Sequence, residues 1–236
     1  MADKPRYFDP RSYYHIYNRS LQERQKIFLS KRDYQRFLSL LVYYQFKHPL
    51  SYAQFEQFSL HHHFLDLGGL EKQGEKRVKL LAYVIMPNHF HLLIKPLEEP
   101  SLVSRFVSDV TNSYTRYFNL KNGRSGSLFQ GKFKSKEISD EGSLLQVSRY
   151  IHLNPLISSK ANPGGILKKP QEWIYSSYQE WAGLKNPHLV DKDEVTSWGS
   201  KVEGPSGYRK FVESKINKNS ALGIESLIIE KEAPKS

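Results

Sequence analysis

The stretch VKLLAYVIMPNHFHLLIK, Val78–Lys95, decides how the chain is read. Val78 to Ile85 is an apolar run with β-branched members, Met86-Pro87-Asn88 is a turn, and a second apolar run follows from His89 to Lys95, so two paired strands are expected. Successive side chains of a strand point to opposite faces. His89 and His91 therefore project together while Phe90 enters the other layer. Two imidazoles on one face suit a shared metal ion, and paired surface histidines are the plainer alternative.

Upstream, Tyr13 to Arg19 (YYHIYNR) reads as a strand followed by a turn. Ser30 can cap a helix in which Tyr34, Phe37, Leu38, Leu41 and Val42 recur at helical spacing. Pro49 to Glu75 breaks the pattern and reads as an insertion or long connection. Its triplet His61–His63 reads as plain surface beside the pair Gly68 and Gly69.

Downstream, Ser101 opens a helix with an apolar stripe of Leu102, Phe106, Val110, Tyr114 and Tyr117, away from which Arg105 and Arg116 fall. After a basic turn, Ser127 to Ile138 reads as an edge strand. Asp140 can cap a further helix, expected to run from Glu141 to about Leu153 and to stop at Asn154-Pro155, because proline disfavours helix in the residue before it. The order β-α-β-β-α-β-α fits an α+β fold: a ferredoxin-like split βαβ antiparallel sheet with helices on one face. The domain is expected to span residues 1–158, with 49–76 inserted. Residues 159–236 form a small helical C-terminal extension, reached through a linker at Ala161–Pro170, packed on the domain, and carrying little signal over its last fifteen residues.

Lysine and arginine outnumber aspartate and glutamate 35 to 24, a formal charge of +11, which points to a polyanionic partner such as nucleic acid. The 15 tyrosines and 13 phenylalanines interleaved with these charges can stack unpaired bases. With no cysteine, disulfides and thiolate metal sites are excluded. No apolar stretch is long enough for a membrane span and MADKPRYFDPRSYY lacks a secretory core, so a cytoplasmic location is expected.

On the last helix of the domain, Tyr150 and Asn154 lie four apart and share a face, while Leu144, Val147 and Ile151 form a separate stripe for the sheet. By themselves Tyr150 reads equally as packing or surface, and Asn154 as a helix terminator.

Together, MPNHFHLL (Met86–Leu93) and SRYIHLNP (Ser148–Pro155) resemble the signature pair of the REP-associated tyrosine transposases, single-tyrosine HUH nucleases of the IS200-like superfamily. YHIYNRS around His15, RYFNLKNGRSGSLFQGKFKS (Arg116–Ser135) and WIYSSYQEWAG (Trp173–Gly183) resemble the family as well, so the likeness runs from about Tyr13 to Gly183. The resemblance implies that His89 and His91 bind a metal, Mg²⁺ or Mn²⁺, and that Tyr150 is the nucleophile. Asn154 falls where relatives carry a polar third ligand. It implies cleavage and rejoining of single-stranded DNA through a 5′-phosphotyrosine, on a substrate with a hairpin such as a REP palindrome; a monomer is expected from the C-terminal extension, with a dimer that exchanges the tyrosine helix as the alternative. Arg19, Arg116, Arg124, Lys132 and Lys134 are the candidates for backbone contacts, with Tyr117 and Phe129 for base stacking. The competing readings are a DNA-binding module that does not cut, a hydrolase in which water attacks, and a protein-interaction domain.

Overall fold

The computed structural model describes residues 7–22, 25–47, 51–61, 75–97, 99–159, 167–186 and 189–216. β1 (Tyr13–Arg19) leads into α1 (Lys31–Tyr44). Two short strands, β2 (Phe46–Lys47) and β3 (Glu75–Lys76), pair with each other on either side of α2 (Tyr52–His61). The hairpin β4 (Val78–Met86) and β5 (His89–Pro96) follows, then α3 (Ser101–Lys121), β6 (Lys134–Ile138) and α4 (Glu141–Ser159). The main sheet has the order β4-β5-β1-β6 and is antiparallel at every junction. β5 thus lies between β1 and β4, the split βαβ arrangement expected from the element order.

The two faces of β5 serve different layers. Phe90 points into the layer formed by α1 and α3, where its ring centroid is 5.1 Å from that of Phe37, itself edge-on to Tyr114 at 5.2 Å. The α3 stripe Leu102, Phe106, Val110, Tyr114 and Phe118 is buried there, each residue four beyond the last. The opposite face, which carries His89 and His91, is covered by α4, with Leu144, Val147 and Ile151 fully buried. Helices are expected on one face only, whereas the sheet carries a helical layer on each side, α1 with α3 on one and α4 on the other, because β5 is apolar at Phe90 and α4 brings its own apolar stripe to the histidine face.

Asp33 ties α1 to α3. Its carboxylate accepts from the Ser30 and Leu29 backbone amides, both at 2.9 Å, from the Tyr117 hydroxyl at 2.8 Å and from Lys121. Burial pushes its pKa upward, but the hydrogen bonds from Lys121 and Tyr117 outweigh this and hold it below the ordinary value.

Beyond α4 the chain closes the sheet's outer edge. Val84 bridges Ser176, the Ile85 amide donates to Tyr175 O at 2.9 Å and the Ser177 amide to Tyr83 O at 3.0 Å. The indoles of Trp173 and Trp181 donate to the carbonyls of Ile85 and Leu81. An exposed β4 edge would be a template for another chain, and this segment occupies it. A 3₁₀ turn (Pro170–Glu172) precedes α5 (Tyr178–Trp181), and α6 (Lys192–Ser200) and α7 (Gly204–Glu213) complete the extension. Among the described residues no helix is long and apolar enough to cross a membrane.

Three further sequence expectations are corrected. The stretch expected to be an unpatterned insertion contains α2, of whose residues Phe55 is buried against Tyr43 at 5.2 Å. His62, His63, Gly68, Gly69, residues 161–166 of the expected linker and the last fifteen residues lie outside the described residues. The edge strand begins at Lys134 rather than Ser127, because Gly131 (φ +61°) turns the chain just before it. Finally, α4 does not stop at Asn154 but continues through Pro155 to Ser159. Proline inside a helix costs about 3 kcal/mol. Burial of Asn154, Pro155 and Leu156 between the sheet and the C-terminal elements offsets that cost.

The outer side of α4 is pinned by a buried polar network. His152 hydrogen-bonds the Tyr208 hydroxyl through Nδ1 at 2.7 Å and Ser177 Oγ through Nε2 at 2.8 Å, while Tyr208 donates to Ser148 Oγ at 2.9 Å. Burial depresses the His152 pKa to about 3, so the native imidazole is neutral. Below pH 6.5 the unfolded chain takes up a proton that the folded one refuses until about pH 3, so stability falls as pH falls through that window. Wild type should lose about 2 kcal/mol more than His152→Gln between pH 7 and pH 5, measured by urea unfolding.

Candidate functional site

Strand alternation and one helical turn assemble the site. In β5, His89 and His91 face α4, and in α4 Tyr150 and Asn154 face back. The Tyr150 ring stands edge-on to His91 with centroids 5.4 Å apart, and to His15 at 6.0 Å. Asn154, fully buried, joins the two elements: its Nδ2 donates to the Tyr150 hydroxyl at 3.2 Å, and its Oδ1 lies 3.2 Å from His89 Nε2. On its other side His89 Nδ1 is 2.7 Å from Asn88 Oδ1.

His89 therefore faces two amide oxygens. A neutral imidazole has one N–H and can satisfy one of them; with Nδ1–H donating to Asn88, Nε2 turns a lone pair toward the Asn154 oxygen. Two lone pairs at that separation repel unless a positive charge lies between them. The donor set of two imidazoles and an amide oxygen is one that divalent metals accept. Among the described residues no group of three or more His, Cys, Asp or Glu side chains converges to hold a metal, so the cluster is distinctive in using the amide.

Sequence reasoning missed two members of this cluster. His15 is fully buried, with Nε2 2.9 Å from His91 Nδ1 and its ring stacked on that of His91 at 5.1 Å. The period of two that unites His89 with His91 also puts His15, Tyr17 and Arg19 on one face of β1. The cross-strand pairs Tyr17↔His91 and Arg19↔His89 make it the same face. Asn88 reads as a turn residue, and only the fold shows its side chain against His89.

The expected DNA contacts divide by location. Arg19 lies beside His89, with its Nε donating to Gln130 at 2.6 Å, and the exposed Lys134 pairs with Tyr17 across β1 and β6. Lys132 is exposed in the loop just before β6. Arg116 and Arg124 instead line a cleft of about 530 Å³ with Asn119 and Leu120 at the C-terminal end of α3, on the other side of the sheet. The two stacking candidates are otherwise engaged. Phe129 is 5% exposed, its ring edge-on to Phe90 at 5.7 Å, and belongs to the core. Tyr117 is half-buried, donates to Asp33 and lies under the Arg36 guanidinium at 4.8 Å. Burial closes the Phe129 ring to a base, and the Tyr117 ring already carries the Arg36 guanidinium.

Residues 70–154 match the family model described as Transposase IS200 like, a span that holds His89, His91, Tyr150 and Asn154. The chain is similar to the IS200-like transposases. That match supports a transposase acting on DNA. The solved structure of a REP-associated tyrosine transposase bound to a REP hairpin has this fold: TM-score 0.53, 15% identity, 83% of this chain and 94% of that one covered. No curated protein matches the chain. The transposase match ends at Asn154 and so omits both β1, with His15, and the C-terminal extension that holds α4 in place.

Because Phe129 serves the core, Phe129→Ala should cost about 3–5 kcal/mol in urea unfolding. The affinity of the folded fraction for DNA, measured by anisotropy, should stay near that of wild type.

Proposed function

We propose that this protein cuts and rejoins single-stranded hairpin DNA, with Tyr150 as the nucleophile. The observation that carries the reading is the convergence of His89, His91, Tyr150 and Asn154 from one strand and one helix, with the Asn154 amide joining His89 to Tyr150 and the His91 ring edge-on to both. His89, His91 and the Asn154 oxygen would hold a divalent ion, Mg²⁺ or Mn²⁺. Once bound, that ion offsets the charge of the phosphate and polarises its oxygens.

In the proposed reaction the Tyr150 oxygen attacks the scissile phosphorus as its proton leaves, the bond from phosphorus to the 3′ oxygen breaks, and that oxygen gains a proton. The products are a 5′-phosphotyrosine and a free 3′-OH. Asn154 Nδ2, which donates to the Tyr150 hydroxyl, stabilises charge developing there and aims the oxygen. The phosphotyrosine diester conserves the energy of the bond it replaced. A second 3′-OH can attack it, release Tyr150 and join the strands without a nucleotide cofactor.

The solved relative is bound to a REP hairpin, and the substrate proposed here is of the same kind. Arg19 and Lys134, beside the histidine face, and the exposed Lys132 in the loop before β6 would neutralise the DNA backbone. Tyr150 reaches the histidines of its own chain, which supports action as a monomer. Because Tyr150 is only 3% exposed, a hairpin-binding protein that does not cut is the second reading.

Incubating the protein with labelled single-stranded hairpins from the flanks of its own gene, with Mn²⁺ or Mg²⁺, tests this on a denaturing gel. A covalent protein–DNA band is expected, and it should vanish in Tyr150→Phe and with chelator. Tight binding across several hairpins with neither adduct nor cleavage would leave the second reading. Separately, replacing Arg19, Lys132 and Lys134 together by Ala should lower the slope of log affinity against log salt by about 2, at about 0.7 per single-strand phosphate contact.

A further inference from the structure

Three aromatic rings from two strands are packed into one cluster beneath the proposed metal ligands. The His91 ring stacks on Tyr17 (5.7 Å, 26° between planes) and on His15 (5.1 Å, 20°), and His15 in turn lies 5.4 Å from Tyr17. Cross-strand register explains the arrangement. Tyr17 lies directly opposite His91, and His15, two residues earlier, is the diagonal neighbour on the same face. His15 adds what a packing residue cannot, a polar contact: its Nε2 is 2.9 Å from His91 Nδ1, with both rings buried.

That contact has a chemical consequence for His91. With Nδ1 turned to His15, a metal bound by His91 would be bound through Nε2. An imidazole that binds through Nε2 must carry its proton on Nδ1, and a buried Nδ1–H needs an acceptor. His15 Nε2 is at hydrogen-bond distance to be that acceptor. Without it, the metal-binding form of His91 would bury an unsatisfied donor.

We propose that His15 is a positioning residue for the metal site: it accepts from His91 Nδ1 and so holds His91 in the tautomer that presents Nε2 to the ion. The inference rests on the metal-binding reading of His89, His91 and Asn154. His15 touches neither the metal nor the DNA in this scheme. It acts by setting the proton and orientation of the ring that does.

The test uses the full chain without DNA and reads Mn²⁺ affinity by EPR of the free ion, with His91→Ala as the control that removes a ligand. His15→Met keeps the length and apolar bulk with only the weak thioether acceptor, whereas the carbonyl of His15→Gln can accept strongly from His91. The expected result is a 10–100-fold weaker Mn²⁺ affinity in His15→Met and recovery of most of it in His15→Gln. A role in packing alone predicts instead that the two variants lose affinity equally, in step with their melting temperatures, and that result would overturn the proposal. So would His15→Met binding as tightly as wild type. Long-range ¹H–¹⁵N correlation of the imidazoles in metal-free wild type needs no variant: a His91 proton on Nδ1 is expected, and one on Nε2 overturns the proposal. Wild type that binds no Mn²⁺ overturns the metal reading itself, and this inference with it. Tight binding lost in His91→Ala and unchanged in His15→Met removes only the inference.

Discussion

β5 is hydrogen-bonded on both sides, to β4 and to β1, and it cannot slip by one residue without exchanging its faces. Such a slip would turn Phe90 toward α4 and bury His89 and His91 among Phe37, Tyr114 and Phe106. The hydrophobic layer of α1 and α3 therefore sets the direction of the histidines without touching them. Phe90 locked on Phe37 fixes the face on which polar chemistry can be assembled.

The second half of the site depends on holding a helix, and α4 is held from both sides. Its apolar stripe docks on the sheet, while His152 and Ser148 join Ser177 and Tyr208 of the C-terminal extension. Each nitrogen of the neutral His152 ring has a hydroxyl partner, so the buried polar layer is satisfied and specifies one rotation of the helix. That rotation presents Tyr150 and Asn154 to the histidines. The extension is thus coupled to the site although none of its residues lies among the four convergent side chains.

The positive charge is divided in the same way. Lys76, Lys79 and Lys95 pair with Asp191 and Glu194 and fasten α6 to the sheet, and Lys121 serves Asp33. Arg19 and Lys134 border the histidine face, whereas Arg116 and Arg124 lie across the sheet. A net charge of +11 therefore overstates what any single surface offers to a polyanion.

Local periodicity in the sequence was enough for β1, the β4–β5 hairpin, the pairing of His89 with His91 and the α3 stripe as far as Tyr114, its last buried member being Phe118 rather than the expected Tyr117, because a period of two or of about 3.6 is a property of neighbouring residues. The spacing of Tyr150 and Asn154 was legible for the same reason. What lay beyond sequence was everything set by partners distant in the chain. α4 passes through Pro155 because tertiary burial outweighs a local penalty of about 3 kcal/mol. Phe129, aromatic and next to basic residues, reads as a base-stacking surface, whereas the layer of α1 and α3 buries its ring. His15 lies 76 residues before its partner His91, and only cross-strand register brings them to 2.9 Å. Sequence determined which side chains share a face; the tertiary structure decided which faces meet, because that depends on contacts between residues far apart in the chain.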